Sequence, residues 1–421
     1  MKMSMKRYLY VLLVVFTVLL CGCSNETVED LDGIQTESTE EFVTETEIIE
    51  EEKEQKITLM MVGDNLLHMG IVKTGYMDDG SRDYSFLFES IQEHLAYADI
   101  KMINQETIFG GNELGFSGFP YFNSPTEVGD AIAEAGFNVV LHASNHTADQ
   151  KISGLLHCVE FWKKHPEVLV TGMYADEAEE NQDIGMLEID GVTFAILNYT
   201  YGPNFASLES SIQGHLGMLC DWDEGSGMID FTKLHPDVIT DIQTAEQMAD
   251  VVIVCPHWGS EYISTPSSYQ ETFAMQMVEA GADVIIGTHP HVVQPVEWVE
   301  SENGNRALCY YSLGNYVSTQ KEGLAMLEAM AWVTFVVQED GVVIVEEETG
   351  VIPMVCHYTV NPTRLKQVYF LDEYNADLAA EHGIHQYGGV NFTYEDLMNW
   401  SNEILGEWVL DSYDVLHCED E

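Results

Sequence analysis

His289 and His291 stand one residue apart in GTHPHVVQP, just past the apolar triplet Val284, Ile285 and Ile286. Imidazole is the commonest metal ligand among side chains and changes charge near neutrality. On a near-extended backbone the two rings would point apart, so the pair can serve two neighbouring ions, or one ion and a substrate. Two loop histidines without a ligand are the plain alternative. Four other strand-like runs end the same way: Asp64 after ITLMMVG, Glu106 after a run through Ile103, Asn145 with His146 after a run through His142, and His257 after DVVIVCP. His68 lies four residues past Asp64. Taken singly, Asp64 reads equally as a turn or helix cap, Glu106 as surface loop, and Asn145 with His146 as a helix cap. Taken together, two carboxylates, an amide oxygen and three or more histidines form an N/O set that suits Mn2+, Zn2+, Fe2+ or Ni2+ better than Ca2+. One open catalytic ion cannot use them all. Two ions about 3.5 to 4 Å apart, bridged by a carboxylate, would do so and would activate water against a phosphorus or carbonyl centre.

The elements that must position these residues follow from apolar runs and their punctuation. Strands are predicted over 57–62, 97–103, 137–142, 168–172, 192–198, 250–256, 284–286 and 308–312, with 183–190 as a hairpin partner. Helices are predicted through Ala135, capped by Ser124 or Thr126 and closed by Gly136, and over 152–164, 236–248 and 269–280. If Ser144 or Asn145 opens a helix, Asp149 lies one turn from His146 or Asn145 and could orient a side chain there. The 199–231 segment is rich in Gly, Ser, Asn and Tyr, which suits the rim or lid of a site. Residues 328–337 and 342–352 read as a hairpin turning at Asp340 and Gly341, and the pattern after Asn361 as mixed helix. Strands alternating with helices, and polar groups gathered at strand ends, make this an α/β chain. One domain is expected over 57–360, with an acidic C-terminal extension, 361–421, packed on it.

The first residues carry a different message. Lys2, Lys6 and Arg7, then an apolar run, then Leu-Cys-Gly-Cys over 20–23, resemble a bacterial lipoprotein export signal and its lipobox. Residues 1–23 are therefore expected to be the signal, Cys23 the lipid-bearing mature start, and the body extracytoplasmic and anchored to the cell membrane. Residues 24–56 are acidic and Thr-rich without apolar period, as expected of a disordered stalk. The net charge of −55 argues against nucleic acid as a partner. It also repels polyanions, though salt confines that to about 8 to 10 Å, so an anion site would need local positive charge such as bound metal. Cys158, Cys220, Cys255, Cys309, Cys356 and Cys418 are widely spaced, with no C-x-x-C and no cysteine zinc site.

In order along the chain, VGDNLLH, NQET, SNHTAD, HWGSEY, GADVIIGTHPHVVQP and YSLGNY resemble the CapA family of capsule and poly-γ-glutamate biosynthesis proteins, a branch of the calcineurin-like metallophosphoesterases. The match covers most of 57–318. It implies a four-layer α-β-β-α sandwich with two mixed sheets and two divalent ions at the strand ends, Mn, Zn or Fe. Position by position, it implies that Asp64, Glu106 and His291 hold one ion, with His68 a further candidate. Glu106 would bridge to a second ion held by Asn145, His257 and His289. His146 would act as acid or charge stabiliser with Asp149 orienting it, and Glu261 and Asn315 would support the ligands from behind. Two departures stand out: His68 lies four residues from Asp64 where the wider superfamily has two, and Glu106 replaces a shorter Asp. The implied function is a metal-dependent hydrolase acting on a phosphoester or amide in an envelope polymer. The alternative is a non-catalytic, membrane-anchored component that docks an anionic chain on its metals, with membrane synthase or export proteins as partners. A solute-binding lipoprotein would share the lipobox but not need the ligand set.

Overall fold

Burial on both faces explains why so many strands of this chain read as unbroken apolar runs. In the computed structural model, which describes residues 55–175, 183–205, 207–339, 341–390 and 392–417, the Lys56–Asn65 strand is buried from Ile57 onward. Its Ile57, Leu59 and Met61 pack with Phe194, Ile196, Ile253 and Ile286 of a second sheet. Met60 and Val62 point the other way, into a core shared with Val128, Ile132, Leu155 and Phe161. Those last four come from the helices Thr126–Ala135 and Lys151–Trp162. On the far side, Leu197, Val252, Val254 and Ile285 pack with Val238, Ile242, Phe273 and Met277, from the helices Pro236–Ala245 and Ser268–Ala280. The layers are thus helix, sheet, sheet, helix, and both sheets are mixed.

The nine-stranded sheet runs Arg364–Phe370, Gly350–Thr359, Leu327–Gln338, Lys56–Asn65, Ile100–Asn104, Val139–Leu141 and Leu169–Thr171, with Asn315–Val317 and Gly341–Ile344 pairing off this path. The last four strands of that order are parallel to one another. The six-stranded sheet runs Val296–Glu300, Arg306–Tyr310, Val284–Ile286, Val251–His257, Val192–Thr200 and Gly185–Ile189. Its inner four strands are also parallel. Parallel strands deliver all their carboxyl ends to one edge, which is where an α/β fold gathers ligand groups. Among the described residues, no helix is long and apolar enough to cross a membrane.

Gly63 sets the end of the first strand. The register slips between Val62 and Asp64 against one neighbour and between Asp64 and Asn65 against another. A Cβ at Gly63 would lie 2.1 Å from the carbonyl oxygen of Gly314, while the Asp64 amide donates to that same oxygen at 3.0 Å. Only a residue without a side chain permits this approach.

Several expectations need correcting. Residues 342–352 are not one strand: Gly341–Ile344 ends in a 3-10 turn over Glu346–Glu348, and a new strand starts at Gly350. Past Asn361 the chain is not only helical, because Arg364–Phe370 forms the edge of the larger sheet. Ser144 and Asn145 open no helix; successive turns lead to a helix that begins at Lys151. The strand Val296–Glu300 and the pair Cys220–Trp222 with Ile229–Leu234 lie outside the strands that the apolar pattern predicts. Cys158, Cys220, Cys255, Cys309 and Cys356 are buried free thiols. Cys23, the 1–23 signal, most of the 24–56 stalk and Cys418 lie outside the described residues.

Candidate metal centre

Each ligand-type side chain reaches the centre from its own strand end. Asp64 leaves the Lys56–Asn65 strand beside Asn315, its register partner. Glu106 follows Ile100–Asn104, and its carbonyl accepts the Ser144 hydroxyl at 2.8 Å, which ties it to the next strand's loop. Asn145 and His146 lie in the turns after Val139–Leu141, and His257 ends Val251–His257. His289 and His291 follow Val284–Ile286. Their backbone is not extended: φ is +96° at His289 and +58° at His291. Two side-chain-bearing residues in the left-handed region cost on the order of 1 to 3 kcal/mol each. The return is that both rings are buried, 5.8 Å apart between centroids, and the His289 amide donates to Asp64 Oδ2 at 3.3 Å.

Two ligand groups result. Glu106, His257 and His289 bring donor atoms within 4.8 Å of one another, and so do Asp64, Glu106 and His291. Glu106 belongs to both. Its Oε1 lies 3.9 Å from His257 Nε2 and its Oε2 lies 3.8 Å from His291 Nδ1. Asn145 joins the first group, with Oδ1 2.8 Å from His257 Nε2. His291 Nδ1 is 2.9 Å from Asp64 Oδ2.

The electrostatics ask for cations. Burial pushes the Glu106 carboxyl well above the ordinary range, and the charges of Asp64, Glu261 and Asp149 add to this against the opposing pull of His291. Burial, then neighbouring imidazoles, hold His257 and His289 well below the usual histidine value. For His291 burial also opposes the charged form, but Glu106 and Asp64 outweigh it and raise the group to about 9. Both carboxylate oxygens of Glu106 and Nδ1 of His289 are buried without a hydrogen-bond partner. Buried acceptors and neutral imidazoles with free lone pairs are costly in a closed protein and are what divalent ions bind. The residues therefore fit the metals that the donor set implies, and these buried groups could hold metal ions.

His146 sits at the edge of this cluster. Its Nδ1 is 2.7 Å from Asp149 Oδ2, and its Nε2 is 4.0 Å from Glu106 Oε1. Asn315 lies behind the ligands, its amide donating to the carbonyl of His291 at 3.1 Å. His68 is outside both ligand groups; its Nδ1 accepts the Thr319 amide at 3.4 Å and its ring meets Phe122 edge-on. Glu261 is exposed and lines the adjoining cleft. That cleft, about 550 Å³, is also lined by His68, His146 and His291. A larger cavity of about 610 Å³, bordered by Lys56, Tyr97 and Trp332, contains none of these side chains.

Four residues not singled out beforehand complete the centre. The Asn104 amide donates to Asp64 Oδ1 at 2.7 Å. Thr288 Oγ1 lies 2.9 Å from His257 Nδ1 and holds the ring from behind, so that Nε2 faces Asn145 and Glu106. Asn204 contacts both Asn145 and His146, and Tyr201 packs on the His289 ring at 4.6 Å. Asn204 and Tyr201 both come from the 199–231 segment whose composition pointed to a rim.

A Bacillus subtilis (strain 168) protein named PGA biosynthesis protein CapA is 31% identical over 193 residues, 45% of this chain and 44% of that one. The match thus spans under half of that relative. The capsule biosynthesis protein CapA of Bacillus anthracis is 26% identical over 309 residues, 71% of this chain and 68% of that one. Among solved structures, a hypothetical protein from Thermus thermophilus aligns with a TM-score of 0.39 and 12% identity, over 70% of this chain and 98% of that one. The Thermus thermophilus sulfate thiohydrolase SoxB, in complex with glycerol, aligns with a TM-score of 0.36 and 10% identity, over 82% and 60%. Residues 58–320 match the family model for bacterial capsule synthesis protein PGA_cap, well over half of the chain, and the ligand-bearing strand ends from Asp64 to Asn315 fall inside that span; the chain belongs to this family.

Proposed function

We propose that this protein is a metal-dependent hydrolase of the cell envelope that cleaves a phosphoester or an amide during capsule or poly-γ-glutamate synthesis or export. Asp64, Glu106 and His291 would hold one divalent ion, and Glu106, Asn145, His257 and His289 a second. When bound, such ions polarise a phosphoryl or carbonyl oxygen and make water acidic enough to attack at neutral pH.

The observation that carries the catalytic reading is the His146–Asp149 pair, 2.7 Å apart and beside Glu106. Metal binding does not require it, since neither residue belongs to the two ligand groups. Asp149 accepts from one ring nitrogen, and the other faces the centre, where it can give a proton to a departing oxygen or nitrogen. Asn204 and the edge of Phe122, 4.6 Å from the ring, hold the imidazole in place. Water adds across the bond, and the leaving group takes its proton from His146.

A second reading is supported by the relatives' names and by the cleft beside the centre: the protein docks an anionic polymer without cutting it. In either reading the lipobox residue Cys23 would tether the body outside the cell membrane, near synthase or export proteins. Full-length protein loaded with Mn2+ and given poly-γ-glutamate or bis(4-nitrophenyl) phosphate separates the two. Product release that chelator abolishes supports the hydrolase; chelator-sensitive binding of poly-γ-glutamate with neither probe cleaved supports docking.

A further inference from the structure

The cleft of about 550 Å³ beside the metal centre contains a feature the metal ligands do not explain. In a chain with 16 Lys and Arg against 71 Asp and Glu, Lys321 is the one Lys or Arg among the residues lining it. Its ammonium stands over the Tyr387 ring, 4.8 Å from the centroid. The side chain is exposed, and no carboxylate among the described residues forms an ion pair with it.

The segment that carries this lysine is built onto the centre. Asn315, which donates to the His291 carbonyl, also donates to the Gln320 side-chain oxygen at 2.9 Å. Gln320 in turn donates to the Tyr262 hydroxyl at 3.2 Å, and its carbonyl accepts the Tyr358 hydroxyl at 2.9 Å. One residue earlier, the Thr319 amide donates to His68 Nδ1. Lys321 therefore starts from an anchored backbone, while its own side chain is free to reach a ligand. The lining is mixed: the Phe119 ring is 75% exposed and Tyr262 41% exposed, beside the exposed carboxylates of Glu261 and Glu322.

A surface of net charge −55 repels an anionic chain, and Glu261 and Glu322 line the same cleft, so an oxyanion entering it needs a direct charge-assisted contact, which the Lys321 ammonium offers. We propose that Lys321 is a specificity-determining residue that receives an oxyanion, a carboxylate or a phosphate, carried by the substrate next to the bond held at the metal centre, with Phe119 and Tyr262 flanking the chain. This rests on the hydrolase or docking reading of that centre.

The test is calorimetric binding of three probes to the full-length protein: γ-linked tetraglutamate, its α-amidated neutral counterpart, and a four-unit glycerol phosphate oligomer. Wild type, Lys321→Ala, Lys321→Arg and Lys321→Glu are compared, each after EDTA treatment and after loading with Mn2+. Loss of one charge-assisted contact is expected to weaken binding of an anionic probe about tenfold in Lys321→Ala, with Lys321→Glu weaker still and Lys321→Arg within about threefold of wild type. The neutral probe is unaffected. A loss confined to tetraglutamate assigns a carboxylate, and a loss confined to the glycerol phosphate oligomer assigns a phosphate. Wild-type affinity of Lys321→Ala for both anionic probes overturns the proposal, as does failure of the wild-type chain to bind either. The EDTA arm keeps the two ideas apart: a lysine effect there survives even if no ion binds, and Mn2+ uptake without a lysine effect sinks this inference alone.

Discussion

The Nδ1 of His146 and Oδ2 of Asp149 are 2.7 Å apart, and that same carboxyl oxygen accepts the Phe122 amide, also at 2.7 Å. The carboxylate is thus fixed from two sides before it orients the ring. With Nδ1 committed to Asp149, the ring is turned so that Nε2 faces Glu106. A turn, not a helix, brings the two together, closed by the Asp149 amide donating to the His146 carbonyl at 3.1 Å.

If this pair handles the leaving-group proton, His146→Ala keeps its metals and loses about 10²- to 10⁴-fold in kcat on an unactivated ester or amide, the range for positioned acid–base groups. Asp149→Asn loses less. The loss shrinks for substrates whose leaving group needs no proton, such as 4-nitrophenolate, so the ratio of the two kcat effects is the quantity to measure. Equal losses on both substrate types would remove the proton-transfer role.

Gly63→Ala tests the close approach at the first strand end. Its Cβ would stand 2.1 Å from the Gly314 carbonyl oxygen, a backbone atom that cannot swing aside. Urea unfolding should show a loss of about 1 to 3 kcal/mol, the cost of overpacking. Metal content should fall as well, because Asp64 is the next residue. A variant as stable as wild type would show that the strand end is looser than described.

Buried histidine makes part of the stability depend on pH. His142 Nε2 accepts the Trp162 indole N–H at 2.8 Å, and burial holds the ring down at about 3. The unfolded chain protonates this group near 6.5 and the folded chain does not. Its contribution is complete above 6.5 and is lost progressively as pH falls toward 3. His142→Asn retains an acceptor and cannot titrate, so the stability gap between wild type and variant should change by about 2 kcal/mol in the variant's favour between pH 7 and pH 5. Parallel stability curves would contradict the burial argument.

What could be read from the chain beforehand, and what could not, divides along physical lines. Strand ends were legible because burial on both faces writes an apolar run with a sharp stop: 284–286 was predicted and Val284–Ile286 is found. The break inside 342–352 was not, since Val and Ile stand on both sides of the Glu346–Glu348 turn with no Gly or Pro inside it. Nor was the strand Arg364–Phe370, whose edge position leaves Lys366 and Gln367 exposed and blurs its alternation. At the centre, Asp64, Glu106, His257, His289 and His291 stood out as chemistry-bearing types. Their supports, Asn104, Thr288 and Asn204, did not, because amides and hydroxyls are common near any strand end and only contact distinguishes them. The positive φ at His289 and His291 was also invisible, since it reflects tertiary packing and not local preference.

Glu106 belongs to two ligand groups at once. Metal content per chain, measured by elemental analysis of protein purified, reconstituted with Mn2+ and dialysed, tests this directly in wild type and Glu106→Gln. The expected result is two ions in wild type and a loss from both sites in the variant, with circular dichroism unchanged. Two ions retained by Glu106→Gln, or none taken up by wild type, would contradict it.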